Sequence, residues 1–128
     1  MNSIFLHKKT YIYLLLSIIS MLAALMVSIP DNPPGIVLSF ISSILLVLAF
    51  THNFTTIKSY TILTISSIAG FVISAVLHNF LEVGGKGTFI ELIGVFFFLV
   101  AIFICPAGFI VGIIGIFRKA FSKKGGQE

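Results

Sequence analysis

The chain has 128 residues, 58% of them hydrophobic and only 9% charged, with a formal net charge of +4 and a mean hydropathy of +1.16. A soluble domain carries about 25% charged residues, so a water-covered surface is excluded, and the length allows one helical bundle and no second domain. Nucleic-acid binding is excluded as well: the Lys and Arg lie mostly near the chain ends, and no basic folded surface remains between the apolar stretches.

Crossing a bilayer core takes about 20 apolar residues of helix. The first such run predicts a helix over residues 11–29, preceded by Lys8 and Lys9. It superficially resembles a signal peptide, but apolar signal regions run to about 7–15 residues. This one is longer and lacks a clean A-x-A site before Pro30, so an uncleaved first helix is expected. Pro30-Asp31-Asn32-Pro33-Pro34-Gly35 reads as a stiff hairpin. Asn32 suits a helix N-cap, Pro33 the first helical position and Asp31 a turn or capping residue. A second helix is predicted over 36–54 and a third over 60–81, with Lys58 between them. The glycine-rich loop at 83–87 lacks the length and trailing Lys-Ser/Thr of a phosphate-binding loop. Thr88-Phe89-Ile90-Glu91 fits a capping box and opens the fourth helix, predicted over 89–117. Cys105-Pro106 interrupts that helix, and a kink is expected at Pro106 because proline removes one backbone bond and crowds the preceding turn. Residues 118–128 form a basic tail. The expected fold is all-α: a polytopic membrane protein with a single four-helix transmembrane bundle.

Charge sets an orientation. Lys8, Lys9, Lys58, Arg118, Lys119, Lys123 and Lys124 fall on one side of the four spans, and Lys86 alone on the other. The positive-inside bias predicts both termini in the cytoplasm of a multi-pass protein in the cell membrane. Small residues recur at helical spacing: Ser20, Ala24 and Ser28; Ser39 and Ser43; Ser66, Gly70 and Ser74; Gly108 and Gly112, with Gly115 close by. Close packing drives helix association in lipid, so these residues are the expected helix-packing positions, within one chain or against a partner.

No ionisable residue lies near the centre of any span, where ion-coupled transporters usually place one. Small multidrug exporters need a glutamate in helix 1, and this helix 1 has none; the glycine-and-arginine motif of small fluoride channels is also missing. The polar residues instead gather at the predicted outer boundary. His78 and Glu82 are four apart with Asn79 beside them, and Asp31 and Glu91 approach from other segments. One histidine with several carboxylates is able to bind a divalent ion or relay a proton; the alternative is capping and hydrogen bonding where water is available. His52 and Asn53 repeat the His-Asn-Phe tripeptide at the opposite boundary, too far away to share a ligand. Cys105 is the single cysteine, so an intrachain disulfide and CxxC chemistry are excluded. No nucleophile accompanies His78, and neither an enzyme nor a bound cofactor is expected.

Three segments resemble a family of small, uncharacterised prokaryotic four-helix membrane proteins: the Asp-Asn-Pro-Pro-Gly loop at 31–35, Ala75-Val76-Leu77-His78-Asn79, and Cys105-Pro106-Ala107-Gly108-Phe109. The resemblance implies a membrane location, no established activity and no catalytic residues. The expected role is structural or accessory, with the lipid bilayer, a second copy or a larger membrane protein as partner. The alternative is an oligomeric small channel, transporter or lipid-handling protein working through the outer polar cluster.

Overall fold

The computed structural model describes residues 7–27, 33–84 and 86–124. Helix α1 spans Lys8–Val27, α2 Pro33–Thr51 and α3 Ile57–Gly84. A last rod is built of α4 (Thr88–Leu99), a π-helical segment (Val100–Ile104) and α5 (Cys105–Lys124). The chain is all-α, with no strand among the described residues, and four helical stretches are long and apolar enough to cross a membrane. Helices are the outcome lipid demands, since every backbone N–H and C=O there needs an internal partner.

The helix ends depart from the sequence expectation for identifiable reasons. Pro33 opens α2 as its first helical residue, as expected for it, so the helix begins three residues before the apolar run that starts at Ile36. Its predicted cap, Asn32, lies outside the described residues, as do Asp31 and Ser28. At the other end α2 stops at Thr51 rather than at 54. There the Thr51 hydroxyl donates to Val47 O at 2.8 Å and the His52 ring nitrogen Nδ1 lies 3.0 Å from Ala49 O. Helix α3 starts at Ile57 and takes in Lys58, because Thr56 acts as an N-cap: its Oγ1 accepts the Ser59 N–H at 3.2 Å.

The capping box expected at Thr88 does not form. Gly87 is the N-cap of α4, with φ 138° and ψ 144° and no side-chain cap bond, and its carbonyl accepts the Glu91 N–H at 3.1 Å. Thr88 therefore sits one residue too far inside the helix to cap it, and only glycine adopts that backbone angle cheaply. The fourth helix runs on past its predicted end at 117 into the basic segment. No glycine or proline falls between Gly115 and Lys124 to interrupt it, so Arg118, Lys119 and Lys123 are helical.

The expected disturbance at Pro106 takes the form of a π turn just before it. The Cys105 N–H donates five residues back, to Val100 O, and Pro106 itself is the second residue of α5. Proline crowds the carbonyl four residues before it, here that of Ile102. A widened turn accommodates that crowding while the rod stays helical.

The chain divides into two compact units, Met1–Ser59 and Tyr60–Glu128. The first contains the antiparallel pair α1 and α2. Ser17 lies opposite Ser42 and His7 opposite His52, a register that also places Ala24 level with Gly35, both buried. The buried residues of α1 are Thr10, Ser17 and Ala24, one stripe of small side chains. The second unit pairs α3 with the last rod. Tyr60 faces Gly115, Thr64 faces Gly112, Ser67 faces Gly108, Gly70 faces Cys105 and His78 faces Gly94. As the first number climbs by three or four the second falls by three or four, until a longer step to His78 and Gly94, the pattern of two antiparallel helices in one register.

Candidate functional site

The packing positions determine where the polar groups of the second unit fall. A methyl group added to Gly112 would lie 3.1 Å from the Thr64 backbone nitrogen and 3.1 Å from Tyr60 O, and would collide with the Thr64 hydroxyl. At Gly108 it would collide with the Ser67 hydroxyl, and at Gly70 it would meet Cys105 Sγ at 3.4 Å. Gly70, Ser74, Gly108 and Gly112 thus occupy or border the contact face, Ser74 being buried. Ser66 does not: it is exposed, and Ser67 takes its place. The predicted Ser66-Gly70-Ser74 stripe steps by four throughout. The observed ridge mixes steps of three and four through Tyr60, Thr64, Ser67, Gly70 and Ser74, which follows a helix of 3.6 residues per turn more closely.

At the loop end of this hairpin, α3 and α4 frame a cleft of about 270 Å³ lined by His78, Leu81, Glu82, Ile90, Glu91 and Val95, with Gly94 at its base. His78 crosses from α3 to α4: its Nδ1 lies 2.9 Å from Gly94 O. A carbonyl only accepts, so Nδ1 carries the proton, and Nε2 is left toward the Glu82 carboxylate, 3.7 Å away. That distance is too long for a hydrogen bond and gives an ion pair only with a protonated ring. The imidazole also rests on Phe98, ring centroids 5.0 Å apart. A half-buried ring is thereby held in one orientation against an exposed carboxylate.

Three of the five expected members of the outer cluster, His78, Glu82 and Glu91, line this one cleft. Asn79 does not join them: it is exposed and its side-chain amide donates to Ala75 O of its own helix at 2.9 Å. Asp31 lies outside the described residues. Among the described residues no three His, Cys, Asp or Glu side chains are placed to hold a metal ion. The cleft offers a fixed imidazole nitrogen and two carboxylates, a set suited to hydrogen-bonding a cationic or donor group.

Replacing His78 by alanine removes the cross-helix bond and is expected to lower the stability of the second hairpin by about 0.6–1.7 kcal/mol, the range for such bonds in lipid. Asn79→Ala is expected to cost less than about 0.5 kcal/mol, since that amide serves only its own exposed turn. Reversible unfolding in mixed micelles reads both, and equal effects would contradict the cross-helix role.

Two groupings carry no distinct sequence signal. In the first unit, the Ser17 hydroxyl donates to Ser42 O and the Ser42 hydroxyl to Ser17 O, both at 2.8 Å. Ser17 is invisible without the hairpin register, because the small-residue spacing points to Ser20 instead. His52 meets the rings of His7 and Tyr13, with centroids at 5.9 and 6.0 Å. Its Nε2 is buried without a hydrogen-bond partner among the described residues. No family model, curated protein or solved structure matches this chain.

Proposed function

We propose that this is a multi-pass protein of the cell membrane, with cytoplasmic termini, whose role is structural or accessory: it packs with copies of itself or with a larger membrane protein. The distribution of side chains supports this most directly. Serine, threonine, glycine and alanine dominate the buried positions, and Ser39 is only 1% exposed. Large apolar side chains lie outside, Met26 at 89% and Phe89 at 74%. Water would bury the second set and expose the first; lipid, as apolar as leucine, removes that pressure and rewards close packing of small residues.

The hydroxyls are already spent. Ser39, Ser43, Thr51 and Thr64 each donate to the carbonyl four residues back at 2.8–2.9 Å. Ser39, Ser43 and Thr51 are also buried, so the lone pairs left on their oxygens line no open path for an ion, which favours the accessory role. The cleft at His78, Glu82 and Glu91 favours a second reading, an oligomeric channel, transporter or lipid-handling protein with a polar site at the outer rim. Full rescue of a deletion strain by His78→Ala/Glu82→Gln would remove that alternative.

Location and orientation are tested together. The protein is expected to stay with membranes through alkaline carbonate extraction. In a Cys105→Ser background, Lys86→Cys is expected to react with an impermeant maleimide in intact cells, and Lys58→Cys only after permeabilisation. Release by carbonate overturns the membrane reading, and the reverse labelling pattern overturns the orientation. For the accessory role, crosslinking in native membranes is expected to trap a product of fixed stoichiometry, and an exclusively monomeric protein would contradict it.

A further inference from the structure

The last rod is much longer than a bilayer requires. The 36 residues of Thr88–Lys123 rise about 1.5 Å each and reach about 54 Å, against a hydrocarbon core of about 30 Å. To keep that whole length within the core the rod would lie some 55° from the membrane normal, beyond the tilt of about 0–40° that spanning helices show. Thr88 and Glu91 hold the other end near the loop, so the surplus emerges at the C-terminal end.

That end has two unlike faces. Ile110, Ile114, Phe117 and Phe121 follow one another at helical spacing along the outside of α5, opposite the glycines that meet α3. Phe117 and Phe121 are 56% and 67% exposed, and their rings lie nearly parallel with centroids 6.4 Å apart. Lys119 and Lys123 project from the opposite side of the helix, and exposed Arg118 borders the apolar stripe. No carboxylate occurs between Glu91 and Glu128 to neutralise these cations within the rod.

We propose that the end of α5, residues 117–124, is a binding surface for the headgroups of anionic phospholipids. Arg118, Lys119 and Lys123 engage the phosphates, while Phe117 and Phe121 lie against the glycerol and upper acyl region. Charge selects the occupant: a basic cluster directly beyond a spanning helix is drawn to an anionic leaflet, and the paired phenyl rings favour a lipid over free phosphate. The inference rests on the membrane location proposed above, which carbonate extraction tests separately.

The test uses the full chain in nanodiscs of phosphatidylcholine containing a minor fraction of spin-labelled phosphatidylglycerol or spin-labelled phosphatidylcholine. Phosphatidylglycerol is expected to be enriched at the protein, and the enrichment to fall as salt rises. Each basic residue contributes on the order of fivefold at low salt, so Arg118→Gln/Lys119→Gln/Lys123→Gln is expected to remove most of the preference, the remainder coming from Lys8, Lys9, Lys58 and Lys124 on the same side. Phe117→Ala/Phe121→Ala is expected to weaken it severalfold. Millimolar inorganic phosphate is expected to leave the enrichment in place. Equal association of the two lipids, displacement by inorganic phosphate, or an unchanged preference in the triple variant each overturns the proposal. So does a Phe117→Ala/Phe121→Ala variant that alters only the oligomeric mass, which would make this face a protein contact.

Discussion

Gly112→Val is expected to destabilise the second hairpin by about 3 kcal/mol, the upper end of what overpacking a tight interface costs. Added carbon would meet not a flexible side-chain tip but the Thr64 backbone nitrogen and the Tyr60 carbonyl, each at 3.1 Å. The Thr64 hydroxyl offers no relief, because it already donates to that same carbonyl at 2.9 Å. Helices α3 and α5 must then separate, and contacts at Gly108 and Gly115 loosen with them. Gly84→Ala is the matched control: an added methyl there meets nothing within 4 Å, and the expected change is below about 0.5 kcal/mol. Unfolding by denaturing detergent, followed by loss of helical circular dichroism, compares the two. A Gly112→Val protein as stable as the control would mean that α3 and α5 do not pack through this glycine.

The second large effect is expected in the first hairpin, at Ser17 and Ser42. Each hydroxyl donates to the other residue's carbonyl, and the two oxygens lie 3.1 Å apart. With both protons committed to carbonyls, the hydroxyl pair itself is close packing rather than a third bond. Single alanine substitutions are expected to cost about 0.6–1.7 kcal/mol each. The double mutant is expected to fall short of their sum, because removing one hydroxyl already loosens the approach that the other needs. Ser42→Leu is expected to exceed either single substitution, at about 3 kcal/mol, since its bulk has to enter a buried contact. Strict additivity in the alanine cycle would show that the two bonds form independently.

Helix number and apolar extent were legible because lipid selects both through gross composition. Boundaries were less so, since they depend on single side chains. Thr56 starts α3 three residues before its apolar run, and a threonine three residues ahead of a serine is too common to stand out in a chain rich in both. Gly87 moves the start of α4 through a backbone angle, which composition does not encode. The packing face was read one residue off at Ser66, because spacing by four alone fits a short stripe as well as the mixed spacing that selects Ser67. The pairing of His78 with Glu82 followed from helical spacing. Its bond to the Gly94 carbonyl did not, because a backbone acceptor has no residue type to recognise. The reciprocal bonds of Ser17 and Ser42 needed the register of two helices, and nothing in either helix alone announces it.

The same serine pair bears on how the chain is made. All the partners that Ser17 and Ser42 need are present once α2 has been synthesised, and the connection to α3 starts only afterwards. The first hairpin is therefore able to leave the insertion machinery as a finished piece, its interhelical hydroxyls satisfied before Tyr60 has left the ribosome. The second, closed by His78 and its glycine ridge, then enters a membrane in which its predecessor is already built.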